Sequence, residues 1–418
     1  MDFLDATYLG LSAVAGGMAR GLSAGLPPAW RMRLEAAPPP DLPPGRWLWI
    51  HAVSVGELLV AEGLVGRLRD RGHRLHLTTG TPAGLDLLGR KLPALDAGTG
   101  RLSGGAFPFD DLEGLRAWRQ ARPGLFLALE TELWPGLMRA LDEDGVPRAL
   151  VNGRLTARSL RNPFARAAAR RFDVVAARDA ESAEGFRTLG AVHVEVAGNL
   201  KADLPPPPPL HGGWAHLRAA WAQAPILVAG NTVEGEEALV LELWRGLRER
   251  HPGLRLILAP RQPRRFGEVA ALLAGLPLRR ASEVWPDTPE GWADTAILLL
   301  DTLGELSRAY GEGSLALVGG GWAWEGGHNP LEPLRFGVPT IIGPGYRNFE
   351  DLVAPLAGSG ALGVVPKEDL MFEAGNILAK APLRASGEPD PALARLMGAT
   401  DRALALLDPL LPAPTVLS

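Results

Sequence analysis

Five consecutive prolines, Pro205 to Pro209, constrain this chain's fold more than any other feature of its sequence. A prolyl ring fixes φ and removes the backbone N–H, so the run is extended polyproline and enters neither a helix nor a central strand. It falls close to the middle of 418 residues, a length beyond what a single hydrophobic core usually fills. Two domains joined by a stiff linker are expected.

On both sides of that run, short apolar strands alternate with helical stretches. Before it, strands are expected over Trp47–Val53, Leu75–Thr79, Leu125–Leu129, Ala149–Asn152, Val174–Ala177 and Val192–Ala197, with helices from Gly56 to Arg71 and onward from Pro82. After it come Ile226–Ala229, Arg255–Ala259, Ala296–Leu300, Leu315–Val318 and Thr340–Ile342, with a helix from Glu234 to Arg250. Such alternation builds parallel βαβ units. The expected class is α/β, two Rossmann-like parallel-sheet domains facing an interdomain cleft, because sheets of this kind bind ligands at the carboxyl ends of their strands. The expected divisions are a helical, membrane-associating segment (residues 1–35), a first Rossmann-like domain (36–204), the Pro-rich linker (205–210), a second Rossmann-like domain (211–390), and a closing helix and tail (391–418).

Apolar residues make up 46% and charged residues 22% of the chain, a balance that fits neither a disordered nor an integral membrane protein. The absence of cysteine removes disulfides, thiolate metal sites and a cysteine nucleophile. Residues 1–203 carry 25 basic and 23 acidic side chains, and residues 204–418 carry 18 and 24. The first half is thus the better match for an anionic partner, yet no basic stripe with interleaved aromatics points to nucleic acid.

The stretch Phe3 to Ala19 is apolar but interrupted by Asp5, and it falls short of the roughly 20 residues that span a bilayer. With Arg20, Arg31 and Arg33 following it, it reads as an interfacial helix with basic flanks, or as a helix packed on its own domain.

Several strand ends carry chemistry. His51-Ala52-Val53-Ser54-Val55-Gly56-Glu57 ends a strand and opens a helix, so the Glu57 carboxylate should look into the cleft, where it can take a proton from a hydroxyl. The same spacing also suits an ordinary carboxylate at a helix start. Glu130-Thr131-Glu132-Leu133-Trp134-Pro135 delivers two more carboxylates at a strand end, which taken alone suit an N-terminal cap and charge pair better than a contact to acceptor or donor. Asn152-Gly153-Arg154 and Asn199-Leu200-Lys201 place cations there, whereas Arg166, Arg170 and Arg171 read as a solvated helix face. In the second half, Gly230 and Asn231 precede a helix start that can hold phosphate, and Arg261, directly after a strand, offers a planar cationic fork. Gly326-Gly327-His328-Asn329-Pro330-Leu331-Glu332 combines a glycine turn, a Pro-started helix and a carboxylate able to accept from a ribose diol. No metal motif is present; Asp142-Glu143-Asp144 reads as a helix terminus.

Taken in order, HAVSVGE, TPAG, ETELWP, NGRLTARS, GNLK, GNTVEGEE, PRQPRRF, DTLGEL, GGHNPLEP and GVPTIIGPGYRNFED resemble the motif series of the transferases that add 3-deoxy-D-manno-octulosonic acid (Kdo) in lipopolysaccharide synthesis. The resemblance covers about residues 47 to 352. It implies a GT-B fold and a CMP-Kdo donor bound by the second domain. It also implies a lipid A precursor bound by the first domain, inversion without metal or other cofactor, and peripheral or N-terminal attachment to the cytoplasmic face of the inner membrane. Carried over by position, Glu57 matches the general base, Glu130 the carboxylate of the ETELWP motif, and Arg261 a phosphate contact. Asn329 and Glu332 match the nucleotide-side motif and Lys201 a motif cation; Gly230, Asn231, Gly327 and His328 line the donor side, with Ser54, Gly56 and Arg154 as further contacts. The chain departs from the family's usual residues at Asn231, Val233 and Gln262, in Gly321–Glu325, and at Gly80 and Ala83. A GT-B enzyme acting on a UDP-sugar and a non-catalytic nucleotide- or lipid-binding homologue are the alternatives.

Overall fold

The computed structural model describes residues 3–22, 25–39, 41–155, 157–204, 212–284, 291–383 and 386–415. The Pro-rich linker expected at 205–210 lies outside the described residues. Two compact units form: Met1–Asp203 together with Met397–Ser418, and Leu204–Leu396.

The first unit is built on a seven-stranded sheet of β1 (Trp47–His51), β2 (Arg74–Thr79), β3 (Leu102–Ala106), β4 (Leu125–Leu129), β5 (Arg148–Gly153), β6 (Val174–Ala177) and β7 (Val194–Val196). Its order is β3-β2-β1-β4-β5-β6-β7 and every pairing is parallel. Strand β1, Trp-Leu-Trp-Ile-His, is buried along its whole length. Successive side chains alternate faces, so Trp47 and Trp49 join one apolar layer with Phe107, Trp118 and Phe126, while Leu48 and Ile50 join the other with Leu64, Leu127 and Leu129. Covered on both faces, such a strand reads as continuous hydrophobicity.

The second unit repeats the plan with β8 (Ile226–Thr232), β9 (Arg255–Pro260), β10 (Leu278–Arg280), β11 (Ile297–Leu299), β12 (Leu315–Val318), β13 (Thr340–Ile342) and β14 (Leu362–Val364), in the order β10-β11-β9-β8-β12-β13-β14. All pairings are again parallel. Its core packs Leu227, Leu256, Leu258 and Leu317 against Trp244 of the helix Glu236–Arg250.

The expected single closing helix over 391–418 is instead two. Pro391–Leu396 belongs to the second unit and Ala399–Leu407 to the first. The break falls at Gly398, at φ 82°, where Asp203 accepts from the backbone N–H of Gly398 (2.6 Å) and Thr400 (2.5 Å) and so caps the second helix. Ala399, Ala403, Leu404 and Leu407 then complete one apolar layer of the first sheet.

The N-terminal segment forms two helices, Phe3–Gly21 and Pro28–Leu34. No helix among the described residues is long and apolar enough to cross a membrane. The basic flank expected after the first helix is mostly committed to protein. Arg20 makes a two-pronged ion pair with Asp111 at 2.8 Å, and Arg33 donates to the carbonyl of Pro108 with its guanidinium 4.6 Å from the Trp134 ring centre. Nor are Arg170 and Arg171 simply solvated, because both pair with the buried carboxylate of Asp5.

Candidate active site

The residues singled out in the first unit converge because β1 and β4 are neighbours in its sheet. The chain leaves β1 through Ser54, the N-cap of the helix Val55–Asp70, and Glu57 sits in that helix's first turn. Ser54 and Glu57 make a reciprocal cap displaced by one residue from a capping box: Ser54 Oγ accepts from the Glu57 N–H at 3.4 Å, and Glu57 Oε2 accepts from the N–H of Val53, the residue before the cap, at 2.7 Å. Among the described residues the second carboxylate oxygen accepts only from the Ser54 hydroxyl, at 3.2 Å. This cap folds the side chain back, so Glu57 is 8% exposed, more enclosed than a carboxylate open to a cleft.

Burial raises the proton affinity of Glu57 first, the charges of Glu132 and Glu130 raise it further, and the bonds from Val53 and Ser54 offset part of the effect; the carboxyl is pushed up to about 8. Three acids therefore share one corner of the sheet. Glu130 occupies the left-handed region at φ 54°. Its backbone links β4 to β5, its N–H donating to Val151 O (3.1 Å) and its carbonyl accepting from the N–H of Arg154 (3.1 Å). Asn152 (φ 55°) in β5 and Asn231 (φ 56°) in β8 share that backbone state, each at a bulge near a strand end. Left-handed non-glycine residues cost free energy and gather where function demands a particular geometry.

The motif Glu-Thr-Glu gives no sign of what separates Glu132 from Glu130, and nothing in the sequence marks His51 as the partner of Glu132. The imidazole of His51 is wholly buried, stacked on Phe107 at 3.7 Å, and its Nε2 lies 3.4 Å from Glu132 Oε2. Trp134 Nε1 donates to that same oxygen at 2.7 Å. Lys201 lies half-buried beyond β7 in a short turn capped by Asn199, and Arg154 is exposed beyond β5.

In the second unit the arginines after β9 divide their work. Arg265 is clamped by Glu237 (2.6 and 3.1 Å) and Glu268 (3.0 Å), and Arg264 bonds Gln262, whereas the guanidinium of Arg261 is exposed and makes no ion pair among the described residues. Its charge acts on both His328 and Glu332. His328 Nδ1 lies 2.9 Å from the carbonyl of Gly319; a carbonyl only accepts, so Nδ1 carries the proton and Nε2 presents a lone pair. Burial holds this histidine below its ordinary range, with Arg261 adding to the effect and the Gly319 carbonyl and Glu236 opposing it. Burial raises Glu332 above the usual carboxylate range, opposed by Arg335 and Arg261. Asn329 Oδ1 accepts from the N–H of Leu331 and so starts the short helix that carries Glu332.

Two glycines are dictated by close approach. A Cβ on Gly230 would lie 2.2 Å from the Tyr310 hydroxyl oxygen, and one on Gly327 (φ 62°) would lie 2.7 Å from Gly345 O. The helix start after β8 is filled by the protein's own carboxylates. Glu236 accepts from the N–H of Gly320 (2.7 Å), Trp322 (3.0 Å), Ala323 (3.3 Å) and Val233 (3.2 Å), which pins the glycine loop after β12. Among the described residues no group of three or more His, Cys, Asp or Glu side chains is placed to hold a metal ion.

Residues 28–204 match the family described as 3-deoxy-D-manno-octulosonic-acid transferase (kdotransferase). A 3-deoxy-D-manno-octulosonic acid transferase of Haemophilus influenzae is 34% identical over 324 residues, spanning 74% of this chain and 73% of that protein. One from Bordetella pertussis is 36% identical over 330 residues, 75% of each chain. Among solved structures, the C-terminal CMP-Kdo binding domain of WaaA from Acinetobacter baumannii is 27% identical, covering 47% of this chain and 98% of that domain with a TM-score of 0.34. The protein is a glycosyltransferase. Within that class, the chain belongs to the 3-deoxy-D-manno-octulosonic acid transferase family.

Proposed function

We propose that the protein transfers Kdo, or a closely related acidic sugar, from CMP-Kdo to a hydroxyl of a lipid A precursor, with inversion and without a metal. The observation that carries this reading, beside family membership, is a buried carboxylate of high proton affinity among two further acids at adjacent strand ends. In the step, Glu57 takes the acceptor hydroxyl's proton while the acceptor oxygen bonds to C2 of the sugar. The bond from C2 to the phosphate oxygen breaks, and CMP leaves with that electron pair. The acceptor hydroxyl replaces Ser54 as partner of the one Glu57 oxygen that now meets only that side chain. Glu130 orients the acceptor, with Ser54, Gly56, Arg154 and Lys201 as further contacts. On the donor side Arg261 meets the phosphate charge, and Glu332 accepts from the ribose hydroxyls. His328 and Asn329 complete that wall, and Gly230, Asn231 and Gly327 shape its backbone.

Membrane-surface association is part of the same proposal, as a peripheral enzyme on the cytoplasmic face of the inner membrane. The helix Phe3–Gly21 turns an apolar side outward as well as packing inward. Its inward side holds Asp5, Tyr8, Gly16 and Ala19, while Leu11, Val14 and Met18 point outward and are exposed, with Leu22 beyond its end. An outward apolar stripe at helical spacing suits the headgroup boundary of a bilayer. Transfer assayed with purified protein, CMP-Kdo and a tetra-acylated lipid A precursor tests the reaction. Product formation supports it, whereas turnover with a UDP-sugar alone contradicts it.

A further inference from the structure

Thr78 determines which proton His51 carries. Its carbonyl oxygen lies 3.1 Å from His51 Nδ1 and can only accept. Its hydroxyl oxygen, also 3.1 Å from Nδ1, already accepts from Trp49 Nε1 at 2.8 Å and directs its own proton to the Ile50 carbonyl at 3.4 Å. Nδ1 is therefore the N–H donor. A neutral ring would then aim the lone pair of Nε2, which is buried and has no hydrogen-bond partner among the described residues, at the carboxylate oxygen of Glu132 only 3.4 Å away. Two acceptors facing each other in a dry site repel.

We infer that His51 carries a proton on both ring nitrogens and pairs with the Glu132 carboxylate, making His51 and Glu132 positioning residues that set the proton affinity of Glu57. The inference rests on the reading of Glu57 as the general base. Two observations put the proton on the ring rather than on Glu132. The Phe107 ring lies parallel beneath the imidazole, tilted 22°, a face that attracts a cation. Trp134 Nε1 donates to the Glu132 oxygen that faces Nε2, a bond that favours the ionised carboxylate.

The other charged groups here are few. Arg33, over the Trp134 and Phe107 rings, acts on Glu132 and answers also to Asp110 and Tyr8, while the charge of Glu130 adds to that of Glu132 on Glu57. Glu132 is thus the carboxylate whose charge bears most on Glu57, and His51 decides how much of that charge Glu57 meets.

The pH dependence of kcat/KM for Kdo transfer, measured on the full chain, separates the cases. Glu132→Gln removes the repelling charge, so the acidic limb should move down by about one pH unit. His51→Gln leaves Glu132 uncompensated, so the limb should move up by a similar amount, and the double variant should track Glu132→Gln. Nitrogen-15 NMR of labelled histidine, with His51→Gln giving the assignment, should show both His51 ring nitrogens protonated at pH 7. A deprotonated Nε2, or a limb unmoved in both single variants, overturns the inference. If Glu57→Gln itself retains turnover, the general-base reading is what fails.

Discussion

The two units share an architecture and differ in what they gather at the carboxyl ends of their strands. The first collects acids, Glu57, Glu130 and Glu132, around a buried histidine; the second collects an exposed guanidinium, an imidazole and Glu332 beside a glycine loop whose backbone N–H groups occupy Glu236. A parallel sheet supplies the same frame to both, so the chemistry is written in the few residues that follow each strand. The contrast suits a division of labour: a site rich in negative charge raises the affinity of a base for a proton, and a free cation favours a departing phosphate.

Arg261→Ala gives the largest effect on the donor side. Loss of one charge-assisted contact, worth about 2 kcal/mol, should weaken CMP binding roughly 30-fold in calorimetric titration. Glu57→Ala in the same titration should leave CMP affinity within about twofold; equal losses would erase the contrast between the units.

The acids of the first unit should also register in stability. A carboxyl raised to about 8 in the folded state, against 4.5 as the reference, binds its proton more tightly when folded. Its contribution is fully present below about pH 4.5 and is lost as pH rises toward 8. Glu57→Gln removes that loss, so the variant should be more stable than the parent by a few kcal/mol at pH 8 and close to it at pH 4, as read by chemical denaturation. A gain independent of pH would show that the carboxyl is not perturbed. A smaller effect is expected at the apolar helix face. Leu11→Ser with Met18→Ser should reduce binding to anionic phospholipid vesicles about tenfold in co-sedimentation, with Kdo transfer to a detergent-dispersed acceptor little changed.

Much of this arrangement is legible in the sequence, because long buried strands such as Trp47–His51 and Leu125–Leu129 announce themselves by continuous hydrophobicity. The strands that the sequence pattern does not mark, β3, β10 and β14, all lie at sheet edges. Leu-Ser-Gly-Gly-Ala in β3 and Leu-Arg-Arg in β10 are short and half-exposed, so neither hydrophobicity nor alternation marks them. At the site, motifs locate the strand ends but not the partners. Glu130 and Glu132 look equivalent in Glu-Thr-Glu, and only the left-handed turn at Glu130 and the bond from Trp134 distinguish them. Long-range pairs such as Arg171 with Asp5, or Asp203 capping a helix nearly 200 residues later, leave no local trace.

Glycine at position 80 has a packing reason: a Cβ there would lie 2.6 Å from Val53 Cγ2, beside the cap that holds Glu57.

The most direct test of the account is Kdo transfer by the Glu57→Gln variant at pH 8, with CMP binding measured on the same preparation. A base that takes the acceptor's proton should cost about 100-fold to 10,000-fold in rate when removed, with CMP affinity unchanged. A variant that transfers Kdo within about tenfold of the parent rate would contradict the account.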